Sequence, residues 1–222
     1  MPLDQTARNL VAIRDRYVLL REAQRTLNKR LQTMLPRQAF KECAQKLGFW
    51  QHGQLVFDVE DHVDAFTDYV IYDYRLRGGT NAVERLWKLG EIVPGTSAHE
   101  VLEAMQEARF TVVRVVKVLP GTGAVVDDLF YGERETLADI MLSENSEPGL
   151  TMAARLLTFP DFVMTTGAGF RVGPRGVEAI LANFNEGFEG GLPMALRESF
   201  DVRTRSQLAA NMIRAALAPR ED

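Results

Sequence analysis

Apolar residues recur at alternating steps of three and four along the first 35 positions of the chain. Seven apolar residues and one glutamine form the series: Leu10, Ile13, Tyr17, Leu20, Gln24, Leu27, Leu31 and Met34. This spacing places all eight on one side of a helix and predicts a long amphipathic helix over residues 5–35. Such a stripe either packs on the rest of the chain or pairs with a second copy, and the pattern leaves both alternatives open.

Shorter helical segments follow as far as residue 108. Pro36 ends the long helix, and a second helix closes at Gly48. Farther along, Asn81 and Glu84 have the spacing of a reciprocal helix cap. Residues 1–108 are therefore predicted to form a helical region.

The period of the pattern changes at residue 109. Residues 109–143 are rich in β-branched side chains and predict three strands separated by turns, and residues 150–173 predict two more. Helices return over residues 174–222. The predicted fold class is α+β: amino-terminal helices, a central five-stranded antiparallel small barrel or curled sheet at 109–173, and carboxy-terminal helices, packed as one unit.

Charge divides the helical region into two blocks. Residues 1–48 hold ten Lys or Arg against four Asp or Glu, whereas residues 49–108 hold four against eleven. The basic block either docks on the acidic block or meets an acidic protein or nucleic acid through residues 8–46. Four cations lie off the apolar stripe and are the predicted interaction residues: Arg14, Arg21, Arg25 and Lys29.

The length of the apolar runs and the number of cysteines limit the possible compartment and thiol chemistry of the protein. No apolar run approaches the roughly 20 residues that span a bilayer, and the amino terminus has no signal-peptide pattern, so we expect a cytoplasmic protein without membrane contact. Cys43 is the one cysteine, which excludes an internal disulfide and a multi-cysteine zinc site. Its place in a helical segment predicts a partly buried, inert thiol.

An acidic segment at residues 58–73 carries the candidate chemistry. On a helix, Val59, Val63, Phe66, Val70 and Tyr74 form an apolar seam, and Asp61, Asp64 and Asp68 lie on the far side. The candidate metal or catalytic residues are Asp58, Asp61 and His62, which would serve a metal-assisted hydrolase. A solvated or docking acidic face requires no ligand, and it is the interpretation that we favour, without a cofactor.

Nucleic-acid binding is a further alternative. Small barrels often bind single strands with basic and aromatic residues. The predicted β module has basic residues, but eight acids accompany them, and its aromatic residues suit a core. An RNA-associated role therefore stays open, with the amino-terminal helices as the better electrostatic candidate.

One motif resembles a known group of proteins. The segment Asp68-Tyr69-x-Ile71-Tyr72-Asp73-Tyr74-Arg75-x-x-Gly78-Gly79-Thr80 is similar to a segment of uncharacterised bacterial proteins, many of which carry a SecA-carboxy-terminal-like (SEC-C) zinc motif. The resemblance continues through Glu84-Arg85, the segment 127–133 and Ala154-Arg155-Leu156, and covers roughly residues 1–175. It implies no established activity. Zinc binding is not carried over, because this sequence lacks the cysteines of that motif.

These observations together favour a non-enzymatic cytoplasmic interaction or adaptor protein. Its basic amino-terminal helix would contact an acidic partner, and the stripe from Leu10 to Met34 would pack internally or form a homodimer. The metal-assisted hydrolase and the RNA-associated protein are the alternatives.

Overall fold

The computed structural model of the chain describes residues 5–57, 59–185 and 201–216. The described residues form eight helices and seven strands, which confirms the predicted α+β class. The helices are α1 (Gln5–Thr33), α2 (Arg37–Leu47), α3 (Glu60–Asp73), α4 (Ala82–Leu89), α5 (Ser97–Gln106), α6 (Ile140–Asn145), α7 (Pro174–Asn185) and α8 (Val202–Ala216). The strands are β1 (Trp50–Gln51), β2 (Gln54–Leu55), β3 (Arg109–Leu119), β4 (Gly123–Asp128), β5 (Arg134–Ala138), β6 (Thr151–Thr158) and β7 (Val163–Arg171).

The apolar stripe of α1 is buried inside the chain. Leu20, Leu27 and Leu31 are at most 2% exposed, and Gln24 is 1% exposed. This side of α1 packs on α5, and it also meets α3, α4 and β5. Of the two alternatives for the stripe, the structure therefore has internal packing, which leaves these side chains inaccessible to a second copy.

Capping residues set the ends of the amino-terminal helices. Gly48 closes α2 in the left-handed conformation, with φ of 89°. The predicted reciprocal cap of α4 is confirmed, since the Glu84 amide donates to Asn81 Oδ1 at 2.8 Å and the Glu84 carboxylate accepts from the Asn81 amide. The acidic helix α3 ends at Asp73, and the Gly78-Gly79 pair lies in the turn that follows.

Five strands form one closed sheet, in which the last strand of the order pairs with the first. Each strand pairs with two neighbours in the order β3-β4-β5-β7-β6, and β6 pairs with β3. Four of the junctions are antiparallel, but β5 and β7 are parallel at the pair Leu137 and Val163. The prediction of a wholly antiparallel sheet is therefore wrong. With an odd number of strands in a closed order, strand directions cannot alternate throughout, so one junction must be parallel.

The end of the predicted third strand is helical instead. β5 ends at Ala138, and α6 begins at once because Asp139 Oδ1 accepts from the Leu142 amide at 3.0 Å as a helix cap. This short helix places Ile140 and Glu144 beside α1.

Two groups of buried apolar side chains stabilise the molecule. The larger lies between the helices and one side of the sheet, and the smaller lies among the strands. The smaller consists mainly of short aliphatic residues: Val113, Val115, Ala124, Val126, Leu137, Met152, Ala154, Leu156 and Val163. Among the described residues, no helix is both long enough and apolar enough to cross a membrane.

Candidate functional site

Of the three candidate metal residues, His62 alone has a side chain within the described part of the chain. Asp58 lies outside the described residues, as does the side chain of Asp61. His62 is 9% exposed, and its ring centroid lies 5.4 Å from that of Phe49. Among the described residues, no group of three or more His, Cys, Asp or Glu could hold a metal. The described geometry thus gives the hydrolase hypothesis no support.

The predicted apolar seam of α3 is buried only in part. Phe66 and Val70 are at most 3% exposed, whereas Val63 is 40% exposed. The buried face also includes Tyr69 and Tyr72, which lie outside the seam. Helix α3 therefore buries a broader face than the seam predicted, because both the helices and the sheet pack on it.

Asp68 corrects the prediction of a wholly solvated acidic side. It is 5% exposed, and its Oδ2 accepts from Arg155 Nε at 2.8 Å. Its Oδ1 accepts from the Thr166 hydroxyl. An ionised carboxylate is stable in the interior when a cation and hydrogen-bond donors face it, which is the reason that this aspartate turns inward.

Asp73 shares the same guanidinium. It accepts from Arg155 Nη2 and is 9% exposed. Burial raises the pKa of Asp73 to about 6, against the opposing charge of Arg155. Burial alone would lower the pKa of the Arg155 guanidinium. The charges of Asp73 and Asp68 raise it by more, so the net shift of this pKa is upward.

Aromatic rings enclose this ion cluster. The Tyr72 and Phe110 ring centroids lie 4.6 Å and 5.6 Å from Arg155 Cζ, distances at which a ring face attracts a cation. Arg155 itself is 5% exposed. Because every charged member is buried, the cluster joins α3 to the sheet rather than receiving a ligand.

Arg21, one of the four predicted interaction residues, is also an interior residue. It is 8% exposed, and its Nη1 donates to the Thr165 carbonyl at 2.7 Å and to Gln24 Oε1 at 2.6 Å. Its Nη2 lies 3.5 Å from Asp139 Oδ2. Arg21 therefore attaches α1 to β7, and its position beside the apolar stripe explains why it turns inward.

The other three predicted interaction residues, Arg14, Arg25 and Lys29, are exposed on α1. Together with neighbours at helical spacing they form a row on the side opposite the buried stripe. We call this row the outer stripe: Val11, Arg14, Val18, Glu22, Arg25 and Lys29, all of them exposed. The sequence predicted the cations of this row but not its valines.

A shallow groove runs along the amino-terminal half of this face. It has a volume of about 660 Å³. Its walls come from α1, from the turn after β3 and from α6: Arg14, Asp15, Val18, Leu19, Gly121, Ile140 and Glu144. Val18 and Leu19 are 51% and 65% exposed, and Met141 next to Ile140 is 65% exposed. Single exposed apolar side chains are common on protein surfaces, so what distinguishes this groove is that apolar and charged side chains lie together along it.

Other cations of the basic block are already used inside the chain. Arg16 pairs with Glu100 on α5, and Arg30 pairs with Glu91 in the loop before it. The basic block therefore docks in part on the acidic block, which is the first of the two alternatives that charge allowed. The cations of the outer stripe belong to the portion of the basic block that still faces solvent.

The aromatic residues of the sheet are poorly placed for base stacking. Five of them are at most 5% exposed: Phe110, Phe130, Phe159, Phe162 and Phe170. Stacking on a nucleic-acid base requires an accessible ring face. The sheet thus offers less to an RNA strand than its small size suggested.

Comparison with known proteins places most of the chain in one family. A model described as "Family of unknown function (DUF7986)" matches residues 12–188. No curated protein and no solved structure matches the chain. The matched segment contains both buried arginine clusters and most of α1, and it ends before α8.

Proposed function

We propose that this chain, which belongs to the family of unknown function DUF7986, is an interaction protein that binds an acidic protein partner through the outer stripe of α1. The observation that carries the proposal is the pairing of exposed cations with an exposed apolar groove on one helix face. The partner would present carboxylates toward the cations and an apolar side chain toward the groove.

The cations of the outer stripe form weak contacts within the chain. Arg25 lies 3.7 Å from Glu22, and both side chains are at least 70% exposed. Arg14 lies 3.3 Å from its neighbour Asp15, again in solvent. Exposed pairs of this kind contribute little to stability. A partner carboxylate can therefore replace the intrachain acid at small cost.

The apolar residues supply the contact area that charges alone lack. Val18 stands between Arg14 and Glu22 on the outer stripe, and Leu19 and Ile140 line the groove beside it. An apolar residue that fills a groove surrounded by charged groups is the usual arrangement at the centre of a protein interface. Charges at its edge would set the orientation and the rate of association.

A charge-reversal experiment tests the proposal. Tagged wild-type chain would capture its partner from cells, mass spectrometry would identify that partner, and titration calorimetry would give the Kd. We expect the Arg14→Glu, Arg25→Glu, Lys29→Glu triple variant to bind at least tenfold more weakly. The wild-type affinity should also fall as salt rises, because exposed charges are screened.

A matched variant controls for net charge. It reverses three exposed cations elsewhere, namely Arg85, Lys88 and Arg175, and it should bind like the wild type. Equal loss in both triple variants, or no loss in either, would contradict the role of the outer stripe. Capture that disappears after nuclease treatment would identify a nucleic acid and overturn the assignment of a protein partner.

A further inference from the structure

Helix α5 presents a row of polar side chains on its solvent side. His99, Glu103 and Glu107 follow one another at steps of four residues, and we call these three residues the acidic row. Glu103 and Glu107 are exposed. Within the described part of the chain, the α5 carboxylate that forms an ion pair is Glu100, which binds Arg16. The two acids of the row thus face solvent without a cation of their own chain.

The position of these two acids is unfavourable for α5 itself. The carbonyl end of a helix carries partial negative charge, and cations rather than acids stabilise it. Helix α5 has no basic residue in its last turn, whereas Glu103 lies in that turn and Glu107 is the C-cap residue. A cation from outside the helix would therefore stabilise this end of α5.

An aromatic pair borders the acidic row at its amino-terminal end. Trp87 of α4 is 38% exposed, and its ring centroid lies 5.2 Å from that of His99. This surface therefore has an apolar part first and two acids farther along α5. The outer stripe has the same order along α1, because the exposed Val18 precedes the cations Arg25 and Lys29.

The charges of the two surfaces have the same spacing. Arg25 and Lys29 are four residues apart on α1. Glu103 and Glu107 are also four residues apart on α5. A helix rises about 1.5 Å per residue, so each pair is separated by about 6 Å along its helix. Two helices that lie side by side therefore pair both cations with both acids at once.

Glu22 and His99 decide the relative direction of the two helices. Glu22 lies three residues before Arg25, and His99 lies four residues before Glu103. In a parallel arrangement Glu22 meets the His99 ring, which can donate a hydrogen bond to a carboxylate. In an antiparallel arrangement Glu22 would instead lie beside Glu107, and the like charges would repel. The charge pattern therefore favours the parallel arrangement.

We propose that the acidic partner of the outer stripe is a second copy of this chain, which binds through its acidic row. The proposal rests on the proposed function and names the partner of that surface. Trp87 is then the apolar side chain that the second copy brings toward the groove beside Val18. The row of the same chain does not reach the outer stripe, because its α5 packs on the buried side of α1.

The contact joins two different surfaces, so it is not a symmetric dimer interface. Two outer stripes would repel each other, because each has three cations and one acid. When one stripe binds one row, the first copy still has a free row and the second copy still has a free stripe. Further copies therefore add head to tail, and the assembly grows beyond a dimer as the protein concentration rises.

Charge reversal on each surface, and then on both, tests the contact in the full chain. Sedimentation equilibrium measures the Kd of self-association. The double variant Arg25→Glu, Lys29→Glu alters the outer stripe, and Glu103→Lys, Glu107→Lys alters the acidic row. Each should self-associate at least tenfold more weakly than the wild type, because like charges then meet. The quadruple variant exchanges the signs of both surfaces and should recover the wild-type Kd within about threefold.

A carbodiimide crosslink, which joins an amine directly to a carboxylate, locates the contact. Isotopically heavy and light wild-type chains would be mixed and crosslinked. We expect heavy-to-light products that join Lys29 to Glu103 or Glu107. Products that join Lys29 to Glu178, an exposed acid on α7, are the matched control and should be rare.

The inference and the proposed function fail in different ways. A wild type that stays monomeric at every concentration but captures another acidic protein, which the row variant captures equally well, would overturn the self-contact and leave the outer stripe its function. A quadruple variant as weak as either double variant would also overturn the self-contact. A wild type that neither self-associates nor captures a protein would contradict both.

Discussion

Arg155 on β6 and Asp68 on α3 form a buried ion pair, with Nε 2.8 Å from Oδ2 and both side chains at most 6% exposed. The two residues are 87 positions apart in the sequence. Asp73 binds the same guanidinium from the end of α3. The pair therefore joins the helical region to the sheet through one cation that satisfies two carboxylates.

Arg155→Met should lower the free energy of unfolding by about 3–5 kcal/mol, because it leaves two carboxylates buried without their cation. Urea denaturation followed by circular dichroism measures the change. The aromatic contacts with Tyr72 and Phe110 are compatible with methionine, so lost charge rather than lost packing should dominate.

A triple variant provides the control for Arg155→Met. Adding Asp68→Asn and Asp73→Asn removes the uncompensated charges and should recover most of the stability. A triple variant that is as unstable as Arg155→Met alone would show that the loss arises from packing.

Asp73 should make the stability of the wild type depend on pH. Its pKa is raised from the ordinary 3.8 to about 6, so the native state binds this proton more tightly than the unfolded chain does. The contribution is fully present below about pH 4 and is lost as the pH rises through 6. From this group alone, the free energy of unfolding should fall by about 3 kcal/mol over that range.

Asp73→Asn isolates this contribution. Arg155, Asp68 and Lys46 face Asp73, and they remain in the variant. The difference in unfolding free energy between wild type and Asp73→Asn, measured at pH 4, 5, 6 and 7, should therefore change by about 3 kcal/mol. A difference that stays constant with pH would show that Asp73 is ionised throughout, and the exposed substitution Glu103→Gln should leave the wild-type slope intact.

Periodicity predicted those parts of the fold that follow from local pattern. The buried stripe of α1, the cap at Asn81 and the change to strands at residue 109 all depend on near neighbours in the sequence. The parallel contact between β5 and β7 could not be predicted this way, since it results from closing five strands into one order. The pairing of two strands that are distant in the sequence leaves no pattern among neighbouring residues.

Periodicity did not predict the two charged residues that face inward. Arg21 lies at the margin of its apolar stripe, where a helical wheel allows either direction, and Asp68 lies on the side of α3 opposite the predicted seam. Each is buried because it binds a residue far along the chain: Arg155 for Asp68, and Thr165 with Asp139 for Arg21. The orientation of such a residue cannot be predicted until the element that packs against it is known.

Cys43 should be unreactive in the folded chain. It is 4% exposed, and burial raises the pKa of its thiol to about 12, so almost no thiolate forms near neutral pH. We expect a disulfide reagent to modify wild type at least 100-fold more slowly than a Cys43→Ser, Gln45→Cys variant, in which the thiol is on the exposed side of α2. Similar rates for the two thiols would place Cys43 in a region that opens readily.

Gly123 should tolerate no side chain, because it lies against the neighbouring strand. A Cβ at this position would lie 1.9 Å from the Leu137 carbonyl oxygen and 2.8 Å from the Asp139 amide nitrogen, and both are backbone atoms that cannot move without breaking the β4–β5 pairing. Gly123→Ala should therefore lower the free energy of unfolding by about 3 kcal/mol or more.

Gly121, two residues earlier in the same turn, is the matched control for Gly123→Ala. Its φ is 70°, but no atom lies within 4 Å of a Cβ there, so Gly121→Ala should cost only about 1 kcal/mol for the left-handed backbone. Thermal unfolding of both variants compares the two costs directly. Equal losses would mean that the contact between β4 and β5 relaxes, and that backbone conformation alone selects glycine in this turn.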